Sequence, residues 1–415
     1  MGFKLAHLAD IHAGYSTSRH TNNQSINLRV VDGYIALQKI ITQVIEAEAD
    51  AAVLCGDIFH GAHPEIRDIV YVQKQLRRLA DANIPVYALA GNHDVTDMRE
   101  AIAASRVLDD PIRNIHAPAE AYKNYRIADG INLHMVQHQL YSAQAELMST
   151  VKPINGEINI FSTHGSLYDP VAQTAIRTGA PREIVIPESI LNGEDWTYRL
   201  LGHIHTPGWI GTSNPLKDTA GKKTYYAGSI VRRGFSDPEA KALGRGWTLW
   251  TIGDDGTFHH KRFKVAQRPQ FDFPTIDASK FTSTEISDKI IARLKETQTD
   301  GNNFIPNVAP ILRQCVKNIS PQKYQSLDLK TIGEQSLHAM TWSIKQLSVE
   351  MVSSDGNNST IELSQTEEKS ILEVYDAWVA NAKSIQGTDK ELRTKVEKMA
   401  KEFIEKGQEL ALERE

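Results

Sequence analysis

Eight residues of the types that bind metal ions lie in five short clusters, and each cluster follows an apolar, strand-like run. The runs read LAHLADIH, AAVLCGD, VYALAGNHD, INIFSTHG and YRLLGHIH. The clusters contain Asp10 and His12, then Asp57, then Asn92 and His93, then His164, and finally His203 and His205. In open α/β sheets, sites are built outside the carboxyl ends of the strands. The sequence therefore predicts a site at such an edge.

These residue types together suit a pair of divalent cations. Two cations about 3.5 to 4 Å apart can hold a phosphate ester and generate hydroxide at neutral pH. Such a pair needs an anionic ligand that can bridge, and Asp57 in the tight turn after Gly56 is suited to that role. Mixed imidazole, carboxylate and amide ligands favour manganese, iron or zinc over magnesium alone. Where the backbone is extended, both residues of the D-x-H pair, and both of the H-x-H pair, would lie on one face.

Taken in order, the motifs D-x-H, G-D-x-x-H, G-N-H-D, T-H-G and G-H-x-H resemble those of the calcineurin-like metallophosphoesterase superfamily. A narrower resemblance, to the SbcD-type DNA nucleases, lies in GDIFHGAHP, GNHD, GHIHTP and AGSIVRRGFSD. These nucleases are bacterial and phage counterparts of the eukaryotic double-strand-break repair nuclease. His60 separates the chain from the protein phosphatases of the superfamily, which read G-D-x-x-D-R-G at this place.

The resemblance implies a two-metal phosphodiesterase that acts on DNA, and it carries roles over residue by residue. The first metal would be bound by Asp10, His12 and His205, the second by Asn92, His164 and His203, with Asp57 as the bridge. His93 would serve as proton donor or transition-state partner, held by Asp94, and His60 would contact the scissile phosphate or the leaving oxygen. Metal ligation by His60 and His93 is the competing assignment, which spacing does not separate. We expect two divalent ions, with manganese preferred.

Charge patterning restricts how the chain could bind DNA. It has 46 Lys and Arg against 51 Asp and Glu, a formal net charge of -5, and no long basic run. Strong sequence-independent DNA affinity needs local phosphate contacts, so positive charge would have to come from loops, from the metals or from a partner. The loop candidates are Arg19, Arg29, Arg232 and Arg233. The alternative is that these are ordinary solvated charges.

Composition is typical of a globular enzyme. A length of 415 residues is enough for two or three domains. Cys55 and Cys315 lie in separate apolar runs, which predicts buried free thiols. No apolar stretch approaches a membrane span, and His7 and Asp10 interrupt the first apolar run before a signal-peptide core forms. We expect a cytoplasmic protein without membrane contact.

Alternating strands and helices are expected to position the clusters. Apolar spacing predicts a helix over 31–49, a strand over 51–54, a helix over 66–82 and a strand over 85–90. This β-α-β-α-β order favours a parallel sheet. Strands over 247–252 and 257–265 flank a predicted hairpin turn, Gly-Asp-Asp-Gly at 253–256. The resemblance implies an α/β fold, a two-sheet metallophosphoesterase sandwich with helices outside, as a nuclease domain over residues 1–268.

A second, smaller domain is expected after a boundary at 267–274, where RPQFDFP has two prolines and little periodicity. The order helix (284–297), strand (311–319), helix (321–337) and strand (341–352) predicts a compact α+β domain over residues 275–352. SbcD-type nucleases carry such a cap beside the active site to help position DNA. The resemblance implies the same role here.

Two helices are predicted over residues 364–415, after the polar stretch SSDGNNS, which is a hairpin tip or a linker. Capping boxes begin at Ser364 and Thr388, and Gly387 marks the break between the helices. This C-terminal helical hairpin either packs on itself or presents an apolar stripe that includes Trp378 and Phe403. In SbcD-type nucleases such a hairpin docks on an SbcC-type, SMC-like ATPase. The implied partners are DNA, that ATPase and a second nuclease copy in a homodimer.

Two other functions stay open at this point. A hydrolase of the same superfamily could act on a small phosphodiester such as a cyclic nucleotide, or on a nucleotide monoester. His60, the cap and the terminal hairpin favour DNA, since a small-molecule hydrolase needs none of them. A docking scaffold with a vestigial site is disfavoured because every ligand of the motifs is present.

Overall fold

The computed structural model describes most of the first 347 residues of the chain. The described residues are 2–17, 20–95, 103–138, 147, 150–167, 185–186, 190, 196–210, 223–235, 237, 243–297 and 308–347. The predicted C-terminal helical hairpin at 364–415 lies outside them and stays a prediction. Among the described residues, no helix combines the length and apolar character that crossing a membrane requires.

The first sheet contains six strands in the order β14-β13-β1-β2-β3-β4. Its four parallel strands are β1 (Phe3–Leu8), β2 (Ala51–Cys55), β3 (Val86–Leu89) and β4 (Ile115–His116). Two antiparallel strands, β13 (Gly246–Ile252) and β14 (Phe258–Lys264), extend the sheet beyond β1. Helix α1 (Leu28–Glu46) connects β1 to β2, and α2 (Ile66–Asp81) connects β2 to β3. The predicted β-α-β-α-β unit is confirmed.

The second sheet also contains six strands, in the order β11-β12-β10-β7-β6-β5. They are β5 (Tyr122–Ala128), β6 (Ile131–Val136), β7 (Ile158–His164), β10 (Tyr198–Gly202), β11 (Gly208–Trp209) and β12 (Thr224–Tyr226). The strands β6, β7, β10 and β12 are parallel, whereas the edge strands β5 and β11 are antiparallel to their neighbours. A separate two-stranded ladder pairs β8 (Ser166–Leu167) with β9 (Val185–Ile186).

The two large sheets pack face to face over one apolar core. Leu5, Val53 and Leu89 of the first sheet belong to the same buried cluster as Leu133 and Leu200 of the second. The other face of the first sheet packs on α1 and α2 in a second cluster that contains Leu37 and Leu76. The parallel strands of this sheet are buried on both faces, which explains their nearly continuous apolar sequences. The predicted two-sheet α/β sandwich is confirmed.

Some predicted boundaries move because capping and turn residues decide them. Helix α1 begins at Leu28 rather than at 31, because the side chain of Asn27 accepts a hydrogen bond from the Arg29 N–H and caps the first turn. The hairpin between β13 and β14 forms where it was predicted, with Gly253 N–H donating to Thr257 O at 2.8 Å. Both cysteines are buried and unbridged, as predicted.

Residues 270–297 and 308–347 form a smaller sheet with a hydrophobic core of its own. The strands are β15 (Gln270–Asp277), β16 (Ile311–Lys317) and β17 (Thr341–Leu347), all parallel. The helices are α3 (Ser283–Glu296), α4 (Pro321–Gln325) and α5 (Leu329–Gln335). Apolar residues of both groups, such as Ile286, Ile290 and Leu312, share one buried cluster. We call residues 270–297 and 308–347 the cap sheet unit; the role of this unit stays a prediction.

Two predictions for the cap sheet unit are wrong. The stretch expected as a domain boundary, RPQFDFP, contributes the edge strand β15, because Pro274 lies beside a register shift and its carbonyl accepts from Arg293 and Gln314 side chains. The single helix expected over 321–337 is two short helices. Asp328 caps the second by accepting from the Thr331 N–H at 3.0 Å, so the chain breaks there.

Candidate metal centre

All five predicted clusters meet where the carboxyl ends of the two large sheets come together. Those from the first sheet follow β1, β2 and β3, and those from the second end β7 or follow β10. The sheets are joined at this edge by hydrogen bonds. His203 N–H donates to both carboxylate oxygens of Asp10 at 3.1 and 3.2 Å, and His164 Nδ1 donates to Cys55 O at 2.8 Å. Residues 193 positions apart are thus hydrogen-bonded to each other within one site.

Asp57 lies at the middle of this site. Its Oδ2 is 3.4 Å from His12 Nε2 and 3.4 Å from His164 Nε2. Its other oxygen, Oδ1, accepts a hydrogen bond from the His93 N–H at 2.9 Å. The carboxylate is therefore fixed in orientation and presents one oxygen to two separate groups of donors.

The first donor group contains Asp10, His12 and His205. The Nε2 atoms of the two histidines are 3.1 Å apart, and His205 Nε2 is 3.8 Å from Asp10 Oδ1. These are the distances between neighbouring atoms of a coordination shell rather than those of packed rings. The group matches the predicted first-metal set.

The second donor group contains Asn92, His164 and His203. Asn92 Oδ1 is 3.0 Å from His164 Nε2 and 3.2 Å from His203 Nδ1, and these two ring nitrogens are 3.3 Å apart. Three donors from three different strand ends thus converge on one point. The group matches the predicted second-metal set.

Hydrogen bonds on the far sides of the rings select which nitrogen faces the centre. Carbonyl and carboxylate oxygens only accept, so the Nδ1 atoms of His164, His93 and His205 carry the hydrogen toward Cys55 O, His60 O and Asp237 respectively. Their Nε2 atoms are left facing the centre, which for His164 and His205 is the usual arrangement of ligating histidines. The chemistry of this donor set fits two divalent cations of the borderline type.

The backbone at four of the proposed ligands is not extended, contrary to the expectation for both residues of the D-x-H pair and for the first residue of the H-x-H pair. Asp10 has φ 52°, His12 φ 47°, Asp57 φ 52° and His203 φ 106°. Non-glycine residues with such φ values are uncommon and cost of order 1–3 kcal/mol each. The turns are held from behind, since Asp10 N–H donates to Gly56 O and His12 N–H to Asp57 O. Left-handed turns therefore direct the side chains into the site.

Two glycines of the motifs make room for these side chains. A Cβ at Gly91 would lie 2.2 Å from Asp57 Oδ1, and a Cβ at Gly56 would lie 2.5 Å from His164 Nδ1. Gly56 also has φ +81°, a conformation that L side chains rarely adopt. The motif glycines are thus required by close approach of the proposed ligands.

Burial and mutual attraction set the charges of the centre. Burial would raise the pKa of Asp57, but the imidazoles of His164 and His12 outweigh it and hold that pKa well below its usual range. Burial would lower the pKa of His164, but the carboxylates of Asp57 and Asp10 raise it to about 9. Burial keeps the pKa of His12 well below its usual value. The Asp57 carboxylate is therefore ionised without metal, and a proton occupies His164.

His93 and His60 lie beside the donor groups on the same side. Their rings stack with centroids 5.3 Å apart, and the His93 ring meets the His12 ring edge-on at 4.8 Å. His93 Nε2 is 4.0 Å from Asp57 Oδ2. Burial and the neighbouring His93 lower the pKa of His60 to about 4, so its ring is neutral. Ring nitrogens of these three histidines lie close enough to share a cation, so both assignments for His60 and His93 stay open.

The prediction that Asp94 holds His93 is wrong. The Asp94 carboxylate is buried and accepts from three backbone N–H groups, those of Ile58, Phe59 and Gly91, at 3.1, 2.8 and 2.9 Å. The ring of His93 is held by His60 O instead. Asp94 therefore ties the two turns that follow β2 and β3, and its contacts stabilise the loop of Asp57.

The four arginines predicted to contact DNA differ in their surroundings. Arg19 lies outside the described residues. The prediction for Arg29 is wrong: its side chain is 2% exposed and donates to Asp32 at 2.6 Å. Arg232 donates to Asp237 O and Gln270 O, so its guanidinium connects backbone segments. Arg233 lies at the centre, with its guanidinium 3.5 Å from His12 Nδ1.

Two further residues of the site were missed from the sequence. Asp237 accepts from His205 Nδ1 at 2.7 Å. Tyr15 donates to Arg233 O at 2.6 Å, and its ring meets His60 edge-on with centroids 4.9 Å apart. A signal for Asp237 was present, because it ends the motif AGSIVRRGFSD that supports the family resemblance. No spacing rule points to Tyr15.

Comparison with known proteins relates residues 3–207 to one family. Residues 3–207 match the family described as Calcineurin-like phosphoesterase. The chain is 27% identical over 284 residues to "DNA double-strand break repair protein Mre11" of Haloferax volcanii, which covers 66% of this chain and 54% of that protein. It is 25% identical over 310 residues to the protein of the same name from Archaeoglobus fulgidus, covering 71% and 63%. The chain thus spans less than two thirds of the length of these curated relatives.

A solved structure with a related arrangement is a dimetal phosphatase from Danio rerio. It has 12% sequence identity and a TM-score of 0.38, and the match covers 61% of this chain and 93% of that one.

Proposed function

We propose that this chain, which belongs through residues 3–207 to the calcineurin-like phosphoesterases, is a two-metal-dependent phosphodiesterase that acts on DNA. The observation that carries the proposal is the position of Asp57 Oδ2, 3.4 Å from His12 Nε2 and 3.4 Å from His164 Nε2. A carboxylate in this position, between two donor groups, is suited to bridge a pair of metal ions. The relatives named as DNA double-strand break repair proteins support DNA as the substrate.

Each donor group would hold one cation. Asp10, His12 and His205 would bind the first, Asn92, His164 and His203 the second, and Asp57 both. Two bound divalent cations would supply a nucleophile from water and stabilise charge on the phosphate oxygens. We expect manganese to support activity better than magnesium, since magnesium prefers oxygen ligands and imidazole suits softer ions.

His93 is the proposed proton donor to the leaving oxygen. Its Nδ1 donates to His60 O at 2.9 Å, which fixes the ring with Nε2 toward the centre. The side chain is 33% exposed, so protons can reach it from solvent. General acids of this kind contribute about a hundredfold to ten-thousandfold to turnover. His60, stacked on His93 and neutral, is the proposed hydrogen-bonding contact for the phosphate or the leaving oxygen.

Arg233 is the proposed contact for a phosphate oxygen. A guanidinium only donates, so its 3.5 Å contact uses the lone pair of His12 Nδ1. A neutral His12 that offers Nε2 to a cation carries its hydrogen on Nδ1 and cannot accept from Arg233. The guanidinium is then available for the charge-assisted hydrogen bonds that arginine makes with phosphate.

A substrate comparison tests the proposal. DNA, a cyclic nucleotide and a phosphomonoester would be assayed with and without Mn2+, and DNA affinity would be measured over a range of salt. We expect metal-dependent DNA cleavage, and an affinity that falls with salt at a log–log slope of about -0.9 per neutralised phosphate. Hydrolysis of the small substrates without DNA cleavage would contradict the DNA assignment and leave the metal centre standing.

We also propose that the predicted helices at 364–415 bind an SMC-like ATPase, on the strength of their position and apolar periodicity. A chain cut after Asn358 should keep metal-dependent activity on short DNA and lose the ATPase in a pull-down with the purified subunit. Aggregation of the shortened chain would indicate instead that the helices belong to the core of the nuclease. The proposed homodimer is checked by light scattering of the full chain.

A further inference from the structure

Asp237 contacts two parts of the candidate centre at once and has no role among the motif assignments. Its Oδ1 accepts from His205 Nδ1 at 2.7 Å, and its Oδ2 accepts from the Arg233 backbone N–H at 3.0 Å. The Asp237 carboxylate is therefore held between a proposed metal ligand and a proposed phosphate contact.

The contact with His205 decides which ring nitrogen faces the first donor group. With the hydrogen on Nδ1, the lone pair of Nε2 points toward the group, 3.1 Å from His12 Nε2 and 3.8 Å from Asp10 Oδ1. The His205 backbone is held as well, since its carbonyl accepts from Ser229 N–H at 3.0 Å. A carboxylate behind a ligating histidine raises the basicity of the ring and fixes its orientation.

The contact with Arg233 fixes the backbone that carries its guanidinium. The N–H is held by Asp237, and the carbonyl accepts from the Tyr15 hydroxyl at 2.6 Å. Tyr15 also lies under the side chain, with the guanidinium carbon 5.9 Å from the ring centroid. Anchored at both its backbone N–H and its backbone carbonyl, Arg233 extends its guanidinium to within 3.5 Å of His12 Nδ1.

We propose that Asp237 is a positioning residue with two effects: it holds His205 in its metal-binding tautomer, and through the Arg233 backbone it directs the guanidinium toward a substrate phosphate. The inference rests on the proposed metal-dependent function. It extends that function to a carboxylate that would touch neither metal nor substrate.

Metal titration of the full chain tests the first effect without any measurement of activity. Asn has one acceptor oxygen and no charge, so Asp237→Asn cannot serve both partners. We expect calorimetry with Mn2+ to show one ion bound about 10- to 100-fold more weakly and the other unchanged. Asp237→Glu, which keeps the charge, should recover part of the loss. Asp272→Asn, which removes an exposed carboxylate bound to Arg313 at 2.5 Å, is the matched control and should leave both affinities unchanged.

The second effect is tested with a small chromogenic phosphodiester at saturating Mn2+. Asp237→Asn and Arg233→Gln should each raise KM several-fold, and the double variant should raise it no further than Arg233→Gln alone, because both act through one guanidinium. Unchanged metal affinities, or an equal loss at both metals, would overturn the role at His205. Additive KM effects would overturn the role at Arg233. If the protein does not cleave DNA while the metal affinities and KM values change as expected, only the proposed DNA substrate is contradicted.

Discussion

At the scale of single residues, the centre is defined by buried carboxylates that face imidazoles. Asp10 and Asp57 are almost inaccessible to solvent, and burial of an ionised carboxylate without partners is costly. Here each carboxylate has ring nitrogens or backbone N–H groups as neighbours. The residues are therefore arranged for positive charge at their centre, and this determines how they respond to substitution and to pH.

Asp57→Ala should abolish metal-dependent hydrolysis and most metal uptake, because both donor groups lose their shared oxygen. Elemental analysis after dialysis measures the metal content. Two ions retained per chain would contradict the bridging role. His93→Gln is the companion variant: it should keep its metals and lose turnover by about a hundredfold to ten-thousandfold. Loss of metal from this variant would place His93 among the ligands.

Metal binding should release a proton from His164. Its pKa is raised to about 9, so at pH 7.5 the ring is protonated in the metal-free protein and must lose that proton to bind a cation. The apparent affinity of the second donor group should therefore rise with pH and level off above about 9, whereas His12, whose pKa is lowered, contributes no such dependence. Calorimetry at pH 7.5 in two buffers of different ionisation enthalpy counts the protons. A heat that does not depend on the buffer would refute the assignment.

At the scale of elements, short turns after the strands place the ligands. Apolar strands bring the chain to the edge of each sheet, and residues in left-handed conformations then turn the side chains inward. The turns after β2 and β3 are linked, since Asp94 accepts from N–H groups of both. Close packing of these turns leaves no space for a larger residue at Gly91.

Gly91→Ala should lower metal affinity with little loss of fold. The added Cβ would lie 2.2 Å from Asp57 Oδ1 and would displace the bridging carboxylate. Gly33→Ala in α1 is the matched control, because a Cβ there meets nothing within 4 Å. That control should bind metal normally and gain roughly 0.5–1 kcal/mol of helix stability. Calorimetry measures the metal affinity of both variants, and thermal unfolding measures their stability. Normal metal binding by Gly91→Ala would show that the turns after β2 and β3 can shift apart.

At the scale of the whole molecule, a buried ionic group ties the segment after β14 to the first helix. Asp32 accepts from Arg29 at 2.6 Å and from two nitrogens of Arg268 at 2.7 and 2.9 Å. Arg268 also donates to Ala309 O, just before β16 of the cap sheet unit. All three charged side chains are buried. The group therefore holds the start of the cap sheet unit against helix α1, which packs on the first large sheet.

Asp32→Asn should destabilise the protein by about 3–5 kcal/mol, because it leaves buried guanidinium groups without a counter-charge. Urea unfolding measures the change. Asp129→Asn, at an exposed pair with Arg126 3.4 Å away, should have no measurable effect. Equal stability of the two variants would show that water reaches the Asp32 group.

The sequence by itself determined the ligand types, their order and the strand ends that carry them. Apolar runs and metal-binding residue types are local features, so the parallel β1-β2-β3 unit and all seven proposed metal ligands could be found without coordinates. The cap sheet unit was found less well. Its edge strand β15 contains Pro274 and lacks a regular alternation of apolar and polar residues. Only its pairing with β16 makes it a strand.

Only the tertiary structure decided which groups hold the ligand histidines and His93 from behind. His205 pairs with Asp237, His164 with Cys55 O and His93 with His60 O, and these partners are 32, 109 and 33 positions away in the chain. It also placed Arg29 in the interior and Asp94 on backbone N–H groups. A side chain's type limits what it can bind, but the partner is set by which chain segments pack together. That packing depends on the total apolar surface that the two sheets bury against each other rather than on any local sequence pattern.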